Sequence, residues 1–236
     1  MDDNAVPRHV AVIPDGNRRF AKKHGKHSSQ GHRQGGENFR GLLEWCREFG
    51  VGELSFWALS TENLKRDETE VKFLFSLFGE MCDEIINKHG KDEKLSEVRI
   101  CFCGALTHVP QWLQQKMKHV EELTKSNSKF RLNLLIAYGG REEILHVVRE
   151  IANDAASGRL IPQDLSDDSI RKRLYVQSEP DLIIRTGHAC LSGLLPWQSS
   201  YSEIIFLEDK FWPEFTKDDF RKCLDEFSSR KRNFGR

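Results

Sequence analysis

The sequence predicts an α/β protein, with a mostly parallel central sheet flanked by helices. Short β-like runs alternate with longer helical patterns, and the charged and polar groups best suited to chemistry fall just after several of those runs. No Ser/Gly/Pro-rich linker or composition break divides the chain, so one domain over residues 1–236 is expected.

The first run, HVAVI at 9–13, is continuously apolar after its histidine, as a strand covered on both faces should be. PDGNRRF at 14–20 follows it, and a short helix through about Lys23 is expected there, capped by Asp15 or Asn17. Helical patterns then cover roughly 30–49, 68–88, 110–125, 140–156, 164–174 and 216–229. The strands between them are 53–59, 98–103, 131–138, 181–184 and 203–207. The segment EVKFLFSLFGEMCDEII is too apolar for a single core stripe. Val71, Leu74, Phe75, Phe78, Met81, Cys82, Ile85 and Ile86 share one broad face, with Phe73 and Leu77 off its centre. Such a helix is either deeply buried, part of a dimer interface, or set with one side on the sheet and the other lining an apolar tunnel.

Lysine plus arginine equals aspartate plus glutamate at 36 each, so no net field favours nucleic acid and anion binding must be local. Apolar stretches fall short of a membrane span and MDDNAVPRH lacks the apolar core of a secretory signal; a soluble, cytoplasmic protein is expected. The six cysteines, at 46, 82, 101, 103, 190 and 223, show no CxxC spacing, which points to reduced, mostly buried thiols.

In open parallel sheets ligands bind beyond the carboxyl ends of the strands. Asp15 to Arg19, Ser60-Thr61-Glu62-Asn63 and Arg185-Thr186-Gly187 all follow β-like runs. Arginines beside helix-end N–H groups make an anion site. Asp15 would repel an anion there unless a divalent cation stood between them. A diphosphate site beside an apolar tunnel would suit a lipid-like chain with a charged head.

With HVAVIPDGNRRFAKKHGK, GHRQG, FWALSTENLKR, LNLLIAYGGREEI, EPDLIIRTG, LPWQSSYSEIIF and WPEFTKDDF in this order, the chain resembles the cis-prenyltransferases, the undecaprenyl and dehydrodolichyl diphosphate synthases, over nearly its whole length. The resemblance implies Mg²⁺ as cofactor, prenyl diphosphates as substrates, a homodimer, and peripheral membrane contact through a lipid product. It implies that Asp15 is catalytic and serves the allylic diphosphate and its metal, with Glu203 as the second acidic residue of the metal. Gly16, Asn17, Arg18 and Arg19 match the loop that holds that diphosphate, Phe20 an aromatic near the allylic group, and His32 the histidine of the family's GH pair. Ser60, Glu62 and Asn63 match S-x-E-N, where Asn63 positions substrate or proton transfer; Arg66 matches another family arginine. Arg185 matches an arginine on the second substrate's diphosphate, with Ser192 beside it.

The departures are local. RTGHACLS is one residue shorter than the family's R-T-G-G-E-x-R-L/I-S and lacks its glutamate and second arginine, with His188 as a substitute ligand or a solvated loop residue. Ser28 or Ser29 stands where an arginine is usual, and Asn233-Phe234-Gly235 replaces the C-terminal R-x-G, with Arg230 and Arg232 nearby. A remodelled acceptor site is compatible with irregular, non-head-to-tail coupling of two allylic diphosphates, which some branches of the family perform. The competing classes are a non-catalytic subunit of a heteromeric prenyltransferase, which typically loses the aspartate retained here, and an RNA- or membrane-surface-binding module. The latter would use the basic end of the chain: Lys217, Arg221, Arg230, Lys231, Arg232 and Arg236.

Overall fold

The computed structural model describes residues 6–230. Six strands, β1 (His9–Ile13), β2 (Glu53–Ser60), β3 (Val98–Cys103), β4 (Phe130–Tyr138), β5 (Leu182–Thr186) and β6 (Glu203–Leu207), form a single sheet in the order β3-β4-β2-β1-β5-β6. Every neighbouring pair is parallel. The helices are α1 (Asn17–Lys23), α2 (Ser28–Glu48), α3 (Glu68–Lys88), α4 (Gln111–Thr124), α5 (Gly140–Ala156), α6 (Asp167–Arg171) and α7 (Lys217–Ser229). Because β1 lies between β2 and β5, the three loops with the expected functional residues emerge side by side at the strands' carboxyl ends.

Two expectations need correction. The pattern at 164–174 forms only a 3₁₀ turn at Pro162–Asp164 and the five-residue α6, whose N-cap Ser166 accepts a hydrogen bond from Ser169 N–H. Neither Asp15 nor Asn17 caps α1: Gly16 holds that position at φ 108° without a side-chain bond, and Asp15 is engaged elsewhere. A β-carbon at Gly16 would come within 2.7 Å of the Phe211 ring, so both the backbone angle and the space require glycine.

Alternation along the strands fills both faces of the sheet. Val10, Val12, Leu54, Phe56, Leu132, Leu134, Leu182 and Ile184 join one apolar core with side chains of α2, α3, α4 and α7. Ala11, Ile13, Trp57, Leu135 and Ile183 face the other way, onto Val176, Leu194 and Leu195. At the amino ends of the strands this second face is polar. His9 Nε2 is 2.8 Å from Ser55 Oγ, and Asn133 donates to Glu53 Oε1 at 2.7 Å and to Ser55 Oγ at 3.1 Å. Ser178 also donates to Glu53, at 2.5 Å.

Burial holds the His9 pKa below its ordinary value against the opposing pull of Glu53 and Asp181, while Arg131 acts with burial. A depressed folded-state pKa means that the stabilisation is complete above the unfolded value of about 6.5 and is lost as pH falls through the folded value. The melting temperature should therefore drop on acidification from about pH 7.5 to about pH 5, and His9→Gln should flatten that slope even if it lowers the melting temperature at neutral pH. An unchanged slope in the variant would assign the acid sensitivity to other groups.

Candidate active site

Asp15 stands at the carboxyl end of β1, one residue beyond Pro14, and is tied from both its backbone and its side chain. Its carbonyl accepts from Thr186 Oγ1 at 2.8 Å and from Trp212 N–H at 2.9 Å. Its carboxylate lies 3.0 Å from Arg185 NH2 through Oδ2 and 3.0 Å from Arg19 NH2 through Oδ1. Partial burial pulls the Asp15 pKa up, but hydrogen bonds from Arg185 and then Arg19 outweigh it and hold the carboxyl below the usual range. Arg19 also donates to Gly187 O at 2.8 Å and lies over the Phe211 ring.

Arg185 organises the remodelled loop after β5. Its NH1 donates to Cys190 O and, at 2.6 Å, to Ser192 Oγ, while its buried Nε has no hydrogen-bond partner. Ser192, at φ 50°, is thereby held beside Arg185. His188 is exposed and lines neither of the two cavities described below. The loop after β2 forms a compact turn: Ser60 Oγ accepts from Asn63 N–H at 3.1 Å, and Ser60 N–H reaches Asn63 Oδ1 at 3.4 Å.

A third cluster gathers on Glu70 in the first turn of α3. His32 Nε2 and Arg66 NH1 lie 3.0 and 3.1 Å from its Oε1, and Arg18 NH1 lies 3.9 Å from Oε2. Burial lowers the His32 pKa, opposed by the hydrogen bond to Glu70. No role was read for Glu70 in the sequence, although its i,i+4 spacing from Arg66 was legible. Trp212 and Thr186, which fix the Asp15 backbone, also lay within recognised blocks without an assigned role.

These groups surround a polar cavity of about 660 Å³, lined in part by Asp15, Gly16, Asn17, Arg18, Arg19, His32, Ser60, Glu62, Asn63, Arg66, Arg185 and Ser192. It adjoins a more apolar cavity of about 450 Å³ between α2, α3 and the sheet, and Pro14, Asn17, His32, Ala58 and Leu74 line both. Leu74, Leu77, Phe78, Met81 and Ile85 of α3 face the second cavity; Phe73 does not, and lies beneath Arg33 instead.

Two expected site residues stand elsewhere. Phe20 is half-buried on α1, its ring 4.3 Å from that of His24, and lines neither cavity. Glu203 begins β6 opposite Leu182, whereas the strand positions level with Ile13 are Arg185 and Phe206. Three residues of strand separate the two levels, about 10 Å, and Glu203 is paired at 2.7 Å with Arg230. The acidic residue therefore cannot share a metal with Asp15 of the same chain, and Arg230 is engaged by Glu203 and Glu226 rather than by the Arg185 loop. Lys217 pairs with Glu48 and Arg221 with Asp218 and Asp225; Lys231, Arg232, Asn233, Phe234, Gly235 and Arg236 lie outside the described residues.

No group of three or more metal-ligating side chains occurs among the described residues. The donor set nevertheless fits Mg²⁺, which commonly takes one or two carboxylates and completes its shell with substrate phosphate and water. Asp15 offers the carboxylate, and Asn17 Oδ1 is a buried acceptor without a hydrogen-bond partner at the same cavity.

The family model for undecaprenyl diphosphate synthases (Prenyltransf) matches residues 13–235. The chain belongs to the cis-prenyltransferase family. It is 40% identical over 235 residues to a tritrans,polycis-undecaprenyl-diphosphate synthase (geranylgeranyl-diphosphate specific) of Thermoplasma volcanium, covering 98% of this chain and 89% of the relative. A protein of the same description from Methanopyrus kandleri is 42% identical over 239 residues, with 100% and 87% covered. The crystal structure of lavandulyl diphosphate synthase from Lavandula x intermedia, in complex with dimethylallyl diphosphate, superposes with a TM-score of 0.92 at 30% identity over 98% of this chain and 99% of that one. The protein is accordingly a prenyltransferase.

Gly35 of α2 offers a test of the geometry. A β-carbon there would lie 2.3 Å from Asn17 Oδ1 and 3.0 Å from Trp212 Cδ1, so Gly35→Ala must displace Asn17. Ångström-scale misplacement of a positioning group costs on the order of a hundredfold in rate. Turnover of prenyl diphosphates by Gly35→Ala should fall by at least about tenfold with the secondary structure intact; full activity would mean that the Asn17 side chain has no part in the site.

Proposed function

We propose that this cis-prenyltransferase is Mg²⁺-dependent and joins an allylic prenyl diphosphate, held at the Asp15 loop, to a second prenyl diphosphate at Arg185 and Ser192. The observation that carries the reading is the junction of the two cavities. A polar chamber rich in arginine opens beside an apolar one, as a molecule with a diphosphate head and a hydrocarbon tail requires.

The chemistry follows from the residue types. The allylic C–O bond breaks and diphosphate departs with the electron pair. The double bond of the second substrate attacks the allylic carbon, and a proton is lost from the resulting cation to restore an alkene. Asp15 would hold a Mg²⁺ ion, which would supply neutralisation of the developing negative charge on the leaving group. Arg18 and Arg19, with N–H groups at the start of α1, hold the departing diphosphate, whose charge grows in the transition state. Arg185 and Ser192 orient the second diphosphate. The Ser60–Asn63 turn positions the reacting carbons or the proton transfer, and Glu62, His32 and Arg66 complete the wall. No protein nucleophile is needed.

The acceptor is where we depart from ordinary head-to-tail extension. The shortened loop brings its own backbone, at Cys190 O, onto Arg185 where the related motif has a further arginine. Losing one charge-assisted contact costs about 1.5–3 kcal/mol, roughly ten- to hundredfold in affinity. We therefore expect isopentenyl diphosphate to bind less well and dimethylallyl diphosphate to serve as acceptor, giving some product with an irregular linkage. The solved neighbour that contains dimethylallyl diphosphate supports this choice.

We further propose a homodimer, supported by exposed apolar side chains on α5 (Leu145, Val148), beside α6 (Ile161, Leu165) and around the edge strand β6 (Tyr201, Phe206). No helix among the described residues is long and apolar enough to cross a membrane. A cytoplasmic enzyme that touches the membrane only peripherally, through its lipid product, suits that.

Asp15→Asn retains an acceptor for Arg185 while removing the charge a metal needs. It should lower turnover at saturating Mg²⁺ by about a hundredfold or more with a small change in melting temperature; wild-type activity would remove Asp15 from the mechanism. With a preferred allylic donor, dimethylallyl diphosphate should couple at a rate equal to or above that of isopentenyl diphosphate, as read from product mass and the position of the new bond. Exclusive and efficient head-to-tail extension would show that the Cys190–Ser192 loop restores an ordinary acceptor site.

A further inference from the structure

The apolar cavity has two unlike walls. On one side Ile100, Leu132 and Leu134 of the sheet are 3, 2 and 2% exposed, close-packed and unable to yield to a longer ligand without displacing the core. On the other side the cavity reaches the surface between α2 and α3, where charged side chains stand at its rim. Arg33 NH1 of α2 lies 3.7 Å from Glu80 Oε2 of α3, and two turns further along α2 Arg40 pairs with Glu84. Both arginines are 57% exposed. Beyond them Glu44 and Arg47 reach Lys94 and Glu97, continuing the row to the far end of the cavity. Apolar side chains of α2 and α3 line the interior behind this row.

We propose that the α2–α3 seam is a side door for prenyl chains, and that the Arg33–Glu80 and Arg40–Glu84 pairs set the longest chain the tunnel retains. The proposal rests on the prenyl-binding reading of the cavity given above. A tail that outgrows the cavity meets the rigid sheet on one side and the seam on the other. Solvent-exposed ion pairs are weak, each worth a factor of about two to five in an equilibrium, so the seam yields before the sheet does. α3 is held from its opposite side by α4, where a β-carbon on Gly79 would come within 2.8 Å of the Trp112 ring. The strength of the seam then depends mainly on its charges. Hydrogen bonds from Lys88 and then Arg40 keep the Glu84 carboxyl below the usual range, so the pair is charged at neutral pH.

The test compares wild type, Arg40→Glu and the exchanged pair Arg40→Glu/Glu84→Arg. Each is supplied in turn with geranyl, farnesyl and geranylgeranyl diphosphate as donor, with isopentenyl and dimethylallyl diphosphate as acceptors, and product lengths are measured by mass. Arg40→Glu sets two carboxylates against each other and should shift products toward longer chains, raising the fraction beyond the main wild-type length by at least about twofold. The exchanged pair should return the distribution toward wild type, and all three proteins should melt within a few degrees of one another. A shift that the exchange does not reverse, a shift to shorter products, or three identical distributions would overturn the role of the seam. Failure of the wild-type protein to couple any of these substrates would overturn the prenyl-binding reading itself and the seam with it.

Discussion

The pairing of Asp15 with Arg185, across two adjacent parallel strands, is the constraint on which the site depends. Ile13 and Arg185 are register partners, so a carboxylate two residues past the first can meet the guanidinium of the second only while β1 and β5 keep their alignment. The buried guanidinium, with a side chain 7% exposed, needs that partner, and both residues anchor other segments. Asp15 fixes the turn through Thr186 and Trp212, and Arg185 fixes the loop through Cys190 and Ser192. One ion pair therefore couples the expected donor and acceptor sides. Because the Asp15 side chain is 35% exposed, solvent screens the pair, and its main consequence is the placement of these two segments rather than the stability of the whole fold.

Electrostatic and apolar tasks are separated by position along the strands and between the helices. The carboxyl ends carry the arginines, whereas the amino ends of the same strands carry the His9–Glu53–Asn133 cluster, which meets no cavity described here. The helix α3 serves both tasks: its first turn presents Glu70 to His32, Arg66 and Arg18, and its following turns line the apolar cavity. Its opposite side closes on α4, which accounts for an apolar surface wider than one contact needs.

Much of this was legible in the sequence because continuous apolar runs and helical periodicity follow from burial on both faces of a parallel sheet, as at Val10 to Ile13 and over 68–88. The strand-end placement of Asp15, Asn63 and Arg185 was equally legible, because the rule depends on topology alone. What escaped were matters of register and direction. Glu203 lies in a recognised block, but only strand pairing reveals that it stands at the opposite end of the sheet. Phe20 follows Arg18 and Arg19 directly, yet the 100° step of a helix turns it away from the cavity that they line. The cap of α1 was misread because the carboxylate expected to serve it had a stronger partner 170 residues away. Glu70 was overlooked because its role comes from groups on three separate elements.

The most direct test of the account is the Mg²⁺ dependence of binding of an unreactive donor, such as farnesyl thiolodiphosphate, measured by calorimetry with Mg²⁺ and with EDTA. If Asp15 links a metal to the diphosphate, Mg²⁺ should tighten binding to the wild-type protein by at least about tenfold, or ~1.4 kcal/mol, and should leave binding to Asp15→Asn nearly unchanged. An equal Mg²⁺ effect in both proteins would contradict the assignment of Asp15 as the residue through which the metal acts.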